Sequence, residues 1–214
     1  MNRKIIDQNN LEFFSNHFKQ RENNEIIANA VIKNGINDTA LNNKSVKKMH
    51  YDFSKEIDVG KVTNQQKSGR CWMFAALNNI RYSISKDLDI KDHQFELSQA
   101  YTMFWDKLEK ANYFLENIIT TADLELDSRR VMWLLNEPTN DGGQWDMFTA
   151  LIEKYGIVPK YSMPESYHSS NSRYLNKILS LKLRDLAKKL RQDFKSGLDR
   201  EGLRETKKTM LAEI

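Results

Sequence analysis

The residues best equipped for chemistry gather around one cysteine, Cys71, in the run Gln65-Gln66-Lys67-Ser68-Gly69-Arg70-Cys71-Trp72-Met73-Phe74-Ala75. A polar, glycine-containing loop runs there into an apolar helical stretch from Trp72 to Ile84, which puts the thiol at or near a helix N-terminus. Unpaired backbone N–H groups and the positive end of the helix dipole favour thiolate over thiol at such a place. Ser68-Gly69-Arg70 allows tight backbone approach and is expected to set a cation beside the sulfur. Gln65, six residues upstream, can swing its side-chain amide toward the same spot. It would then donate, with the Cys71 backbone N–H, to one developing oxyanion. Thiolate and amide donor are two parts of an acyl-transfer site. The plain alternative is a small buried hydrophobe, but a core cysteine usually sits further inside the apolar run.

A thiolate peptidase also needs a general base, usually histidine oriented by asparagine. The chain offers His17, His50, His93 and His168. The first two precede the cysteine, His93 stands among charges in Lys91-Asp92-His93-Gln94, and His168 in Tyr167-His168-Ser169-Ser170 reads as an exposed loop. No apolar strand frames His168, so all four are expected to be surface or structural.

The elements that must position the thiol are mostly helices, punctuated by only eight glycines and three prolines in 214 residues. Leu11, Phe14 and Phe18 share one face of a first helix, and Ile26, Ile27, Ala30 and Val31 belong to a second, stopped at Gly35. From Asn37 to Val59 the periodicity fades, which predicts an extended polar connector. The cysteine helix is apolar on nearly every face, the pattern of a helix buried mid-domain. Ser98 caps a long helix carrying Tyr101, Phe104, Trp105, Leu108, Phe114 and Ile118. Another spans Arg129 to Asn136, ending before Pro138. Asp141-Gly142-Gly143 reads as turn and cap for a helix from Trp145 to Tyr155, closed by Gly156. Two charged amphipathic helices, separated by Gly197, follow Ser172. The stripe Leu203, Met210, Leu211, Ile214 runs to the last residue with nothing evident to pack against, and suggests a truncated chain.

Composition bounds the function. With 29% charged and 40% hydrophobic residues the chain reads as a soluble globular protein of one large or two small domains. No apolar run approaches the roughly 20 residues that span a bilayer, and the start lacks the apolar core of a secretory signal. A single cysteine excludes an internal disulfide and any multi-cysteine zinc site, and makes the reducing cytosol the natural setting. The net charge of +4 is uneven: Asn171 to Ile214 holds twelve Lys or Arg against six Asp or Glu. That end could contact nucleic acid, but with only Tyr174 and Phe194 as aromatics it reads better as a solvated helix face.

Gln65 to Trp72 resembles the papain-type cysteine peptidases, in which glutamine, five residues, cysteine and an aromatic recur. Val62-Thr63-Asn64-Gln65, Gly69-Arg70-Cys71-Trp72 and Asp141-Gly142-Gly143-Gln144-Trp145-Asp146-Met147 are similar to the bleomycin hydrolase/aminopeptidase C branch. So are Leu97-Ser98-Gln99-Ala100-Tyr101 and Glu153-Lys154-Tyr155-Gly156-Ile157-Val158-Pro159-Lys160. The resemblance implies a papain-like α+β fold, of which this chain is mainly the helical N-terminal half, the β-rich half being largely missing. It implies an N-terminal arm and connector over 1–60, the nucleophile-bearing helical domain over 61–165, and the start of a helical insertion over 166–214. Cys71 would be the nucleophile, Gln65 the oxyanion donor, and Gly142 and Gly143 the pair lining the cleft, with catalytic histidine and asparagine downstream of this chain. The implied function is a cytoplasmic thiol aminopeptidase acting on peptides through a thioester on Cys71, hexameric at full length, with no metal or cofactor. A non-catalytic fragment and a nucleic-acid-binding module stand as the alternatives.

Overall fold

In the computed structural model, described residues are 5–214 except 51, 58, 59 and 93. The chain divides into two compact units, 1–56 and 57–214. The first holds α1 (Gln8–Gln20), α2 (Asn24–Ala40) and the short α3 (Asn43–Lys47). Asp7 and Asn10 cap α1 reciprocally, each side chain accepting the other's backbone N–H. Gly35 breaks α2 with φ +80°, but the helix resumes and runs on to Ala40. The connector expected to be extended is therefore partly helical. Its missed signal is Asn42, whose side chain accepts the Lys44 and Ser45 N–H groups and starts α3. None of these three helices buries a residue: Leu11, Phe14 and Phe18 are 54%, 51% and 46% exposed.

In the second unit α4 (Cys71–Asp87) is followed by α5 (Gln99–Thr120), α6 (Arg129–Asn136), α7 (Trp145–Tyr155), the one-turn α8 (Tyr167–Ser170), α9 (Arg173–Lys195) and α10 (Arg200–Ala212). Among the described residues, extended chain pairs only in isolated bridges, Lys67 with Asn171 and Leu97 with Pro159. Local chemistry sets the boundaries. The Ser98 hydroxyl accepts the Tyr101 N–H at 3.0 Å to start α5, and Gly156, at φ +73°, ends α7.

The 22 residues of α5 give a rod about 33 Å long, enough to serve two cores. Near its start, Met103 packs with Met73, Ala76 and Leu77 of α4 and Phe148 of α7. Further along, Ala111, Phe114, Leu115, Ile118 and Ile119 pack with Leu183 and Leu190 of α9 and Leu203 and Met210 of α10. Complete burial of each large aliphatic chain here stabilises by about 1.5–3 kcal/mol. The stripe on α10 thus has a partner after all, a helix some ninety residues earlier, which no local pattern reveals. The cysteine helix is also less enclosed than its composition suggests. Met73, Phe74, Ala76 and Leu77 are buried, whereas Cys71, Ala75 and Asn79, one turn apart along the rod, are exposed.

Candidate active site

Cys71 is the first residue of α4 and is exposed. No side chain caps the helix, and its first intrahelical bonds are donated by Met73 and Phe74 to the Arg70 carbonyl. The Cys71 N–H, one of the donors a helix leaves over at its start, is therefore open among the described residues.

The loop leading to the thiol is braced from within. The Gln65 carbonyl accepts the Ser68 hydroxyl at 2.7 Å, and that hydroxyl accepts Arg70 Nε at 2.8 Å. Between them Gln66 takes a left-handed backbone (φ +54°), its N–H donating to Asn64 Oδ1. Gln65 itself is half-buried, and its Oε1 is buried without a hydrogen-bond partner among the described residues. Arg70 was expected to set a cation beside the sulfur, but its guanidinium is committed elsewhere. It forms a two-pronged pair with Glu165 at 2.9 Å on each prong and lies over the Phe74 ring. At 1% exposure Arg70 is an anchor, fixing the loop to residues nearly a hundred positions downstream. Burial pushes the Glu165 carboxyl up, but the bonds from Arg70 and Ser169 outweigh it and hold the group below the usual carboxylate range.

Asp141 ties this loop to the glycine pair. Its Oδ2 accepts the Gly69 N–H at 3.0 Å and the Ser172 hydroxyl, while Oδ1 accepts Lys107 Nζ at 2.7 Å and Asn176 Nδ2 at 2.8 Å. Its backbone carbonyl accepts the Trp72 indole N–H at 2.8 Å. Burial raises its pKa, yet the four donors prevail and hold it well below the ordinary value. Lys110 donates to the Gly142 carbonyl at 2.6 Å and to Asp106 at 2.8 Å. Burial pushes the Asp106 carboxyl up in spite of that partner.

The two glycines differ in what they are for. A Cβ on Gly143 would clash with the Trp72 ring, so the indole beside the nucleophile fits only against a bare backbone. A Cβ on Gly142 would meet only Asn140 Oδ1, at an ordinary 3.6 Å, and Gly142 is exposed. Packing within the chain thus accounts for Gly143 and leaves Gly142 open to an approaching backbone.

Among the described residues, the histidines make none of the contacts just given. His168 is on α8, exposed, with Tyr167 edge-on to its ring; His17 stacks on Phe13 in α1; His50 is exposed; His93 lies outside the described residues. Among the described residues no three of His, Cys, Asp or Glu are grouped to hold a metal. Seven of the twelve basic side chains of α9 and α10 are engaged within the protein. Arg204 and Lys207 pair with Glu116, Arg200 with Asp123, and Arg184 and Arg191 donate to backbone carbonyls.

With an exposed thiol at a helix start and a glycine pair locked beside it, the sequence matches the Peptidase C1-like family over residues 5–214. The chain belongs to this family. It is 51% identical over 204 residues to Aminopeptidase C of Listeria monocytogenes, covering 95% of this chain and 45% of that protein. Aminopeptidase C of Lactobacillus delbrueckii subsp. lactis is 46% identical over 211 residues, 99% of this chain and 46% of its own. The crystal structure of pepW from Lactobacillus rhamnosis superimposes with a TM-score of 0.92 at 51% identity, over 100% of this chain and 47% of that one. The chain spans about half the length of the curated relatives it matches. Its fold is the mainly helical N-terminal portion of the papain-like peptidase. No helix among the described residues is long and apolar enough to cross a membrane.

Proposed function

We propose that the protein is a cytoplasmic thiol aminopeptidase that releases N-terminal residues from peptides through a thioester on Cys71. The observation that carries this reading is the exposed Cys71 at the uncapped start of α4, with the Gly142-Gly143 backbone clamped beside it through Trp72 and Asp141. The name aminopeptidase C borne by the relatives supports the exopeptidase class.

In this mechanism Cys71 Sγ, as thiolate, attacks the first peptide carbonyl, forming a C–S bond while the carbonyl oxygen takes the negative charge. The Cys71 backbone N–H and the Gln65 side-chain amide donate to that oxygen, and the Gly142 backbone holds the extended peptide. Collapse breaks the C–N bond, and the leaving amine takes a proton from the general acid. Water then attacks the thioester, releasing the N-terminal residue and returning a proton to the thiol site. The histidine that moves these protons, and its orienting asparagine, belong to sequence beyond this chain. Hexameric assembly of the full-length protein is part of the same reading. The nucleic-acid alternative is not adopted, since no observation at the basic helices favours it and Lys182, Arg200, Arg204, Lys207 and Lys208 are ion-paired within the protein.

The test is hydrolysis by the full-length protein of leucyl-β-naphthylamide and its N-acetylated form. The proposal expects release from the free amine only, abolished by Cys71→Ala. Hydrolysis that survives this substitution, or that prefers the blocked substrate, contradicts it.

A further inference from the structure

We infer that Asp141 is a positioning residue of the thiol site, through which the segment from Glu165 to Asn176 buttresses the nucleophile loop; the inference rests on the reading of Cys71 given above. Asp141 lies seventy positions from Cys71, yet it grips the chain on both sides of it. Its carboxylate takes the N–H of Gly69, two residues before the thiol, and its carbonyl takes the indole N–H of Trp72, one residue after. The contact is close: a Cβ on Gly69 would lie 2.9 Å from the Asp141 Cβ. Asp141 also begins the glycine pair, so one residue fixes the spacing between nucleophile and cleft edge.

The site calls for a carboxylate in particular. Its side chain is only 9% exposed, and each oxygen accepts two donors, from Gly69 and Ser172 on one and Lys107 and Asn176 on the other. An amide in its place has one accepting oxygen and turns an N–H toward two of those donors. The donors come from three elements: the cysteine loop, α5 and the start of α9. Two further ties join the same segment to the same loop: Arg70 to Glu165, and the Lys67 N–H to the Ser170 carbonyl at 3.0 Å. The chain from 165 to 176 is therefore part of the site's frame and not merely the beginning of an appended insertion. Misplacing a nucleophile by about 1 Å can cost on the order of 10²-fold in rate, so this frame reaches the chemistry without touching substrate.

The experiment compares full-length wild type with Asp141→Asn, Asn176→Ala and Ser172→Ala by three readouts. These are kcat and KM on leucyl-β-naphthylamide per titrated thiol, the rate of Cys71 alkylation by iodoacetamide, and hydrogen exchange of the Gly69 amide. The inference expects Asp141→Asn to lower kcat at least tenfold with KM changed less than threefold, to slow alkylation severalfold, and to expose the Gly69 amide. Asn176→Ala, which keeps the carboxylate and drops one donor, is expected to do the same to a smaller degree, and it decides the matter should Asp141→Asn not fold. A merely structural role lowers the melting temperature while kcat per titrated thiol and alkylation stay at wild-type values, and that result overturns the inference. Were wild type to hydrolyse no substrate, the peptidase reading would fall, while alkylation and Gly69 exchange would still decide the role of Asp141.

Discussion

The two units of this chain use apolar residues in opposite ways. In 57–214 the helices surround α5, and Leu115, Ile118, Ile119, Leu183, Leu190 and Leu203 are fully out of water. In 1–56 two of the three helices, α1 and α3, carry side-chain caps, yet none buries a side chain, and Phe13, Phe14, Ile26, Ile27 and Ile32 remain exposed. Capping and periodicity, legible in both, make helices; only long-range partners make a core. The thiol is built on the unit that has those partners, where a position can be held.

The largest effect that separates the regions is chemical. Cys71→Ala is expected to lower kcat of the full-length protein by at least about 10³-fold, whereas Phe14→Ser in α1 leaves kcat per titrated thiol within twofold. In stability, Leu183→Ala should cost about 2–5 kcal/mol in urea unfolding of this chain, because a residue at 0% exposure leaves a cavity. Phe14→Ser, at a position already 51% exposed, should move the same transition by less than about 0.5 kcal/mol. Equal costs would erase the contrast.

Within the site, Gly143→Ala forces a Cβ against Trp72 and should destabilise by about 1–3 kcal/mol, while Gly142→Ala should leave the melting transition unchanged and raise KM. A loss of stability at Gly142 equal to that at Gly143 would remove the distinction drawn between them.

Acid should act mainly on the packed unit. Asp141 and Glu165 are both held below their ordinary values of 3.8 and 4.5, so the folded state binds their protons less readily than the unfolded chain. Their contribution is complete above those ordinary values and is lost as pH falls below them. Unfolding free energy should be flat with pH in this respect down to about 5 and decline below about 4.5, with a shallower decline in Asp141→Asn. An identical slope in the variant would contradict the assignment.

What could be read from the sequence follows the range of the interactions. The Ser98 cap, the Gly156 stop, the span of α7 and the place of Cys71 at a helix start all depend on residues a few positions apart. Asn42 carried a local capping signal too, obscured by a polar stretch that lacks apolar periodicity. The frame of the site is of another kind. Arg70 and Glu165 are 95 positions apart, Gly69 and Asp141 are 72, and Trp72 reaches the Asp141 carbonyl across 69. No pattern of period two or 3.6 contains such pairs. Arg70 therefore looked like a free cation for the sulfur, Asp141 looked like a turn residue, and the α10 stripe looked unpartnered.

Peptide cleavage by this protein requires Cys71 to be an activated and accessible thiol. The direct measurement is the second-order rate of its alkylation by iodoacetamide at pH 6 in the full-length protein, against free cysteine under the same conditions. A rate far above that of free cysteine, falling toward it when the 214-residue chain is tested alone, is the expected result. Equal rates for the full-length protein and free cysteine would contradict the account.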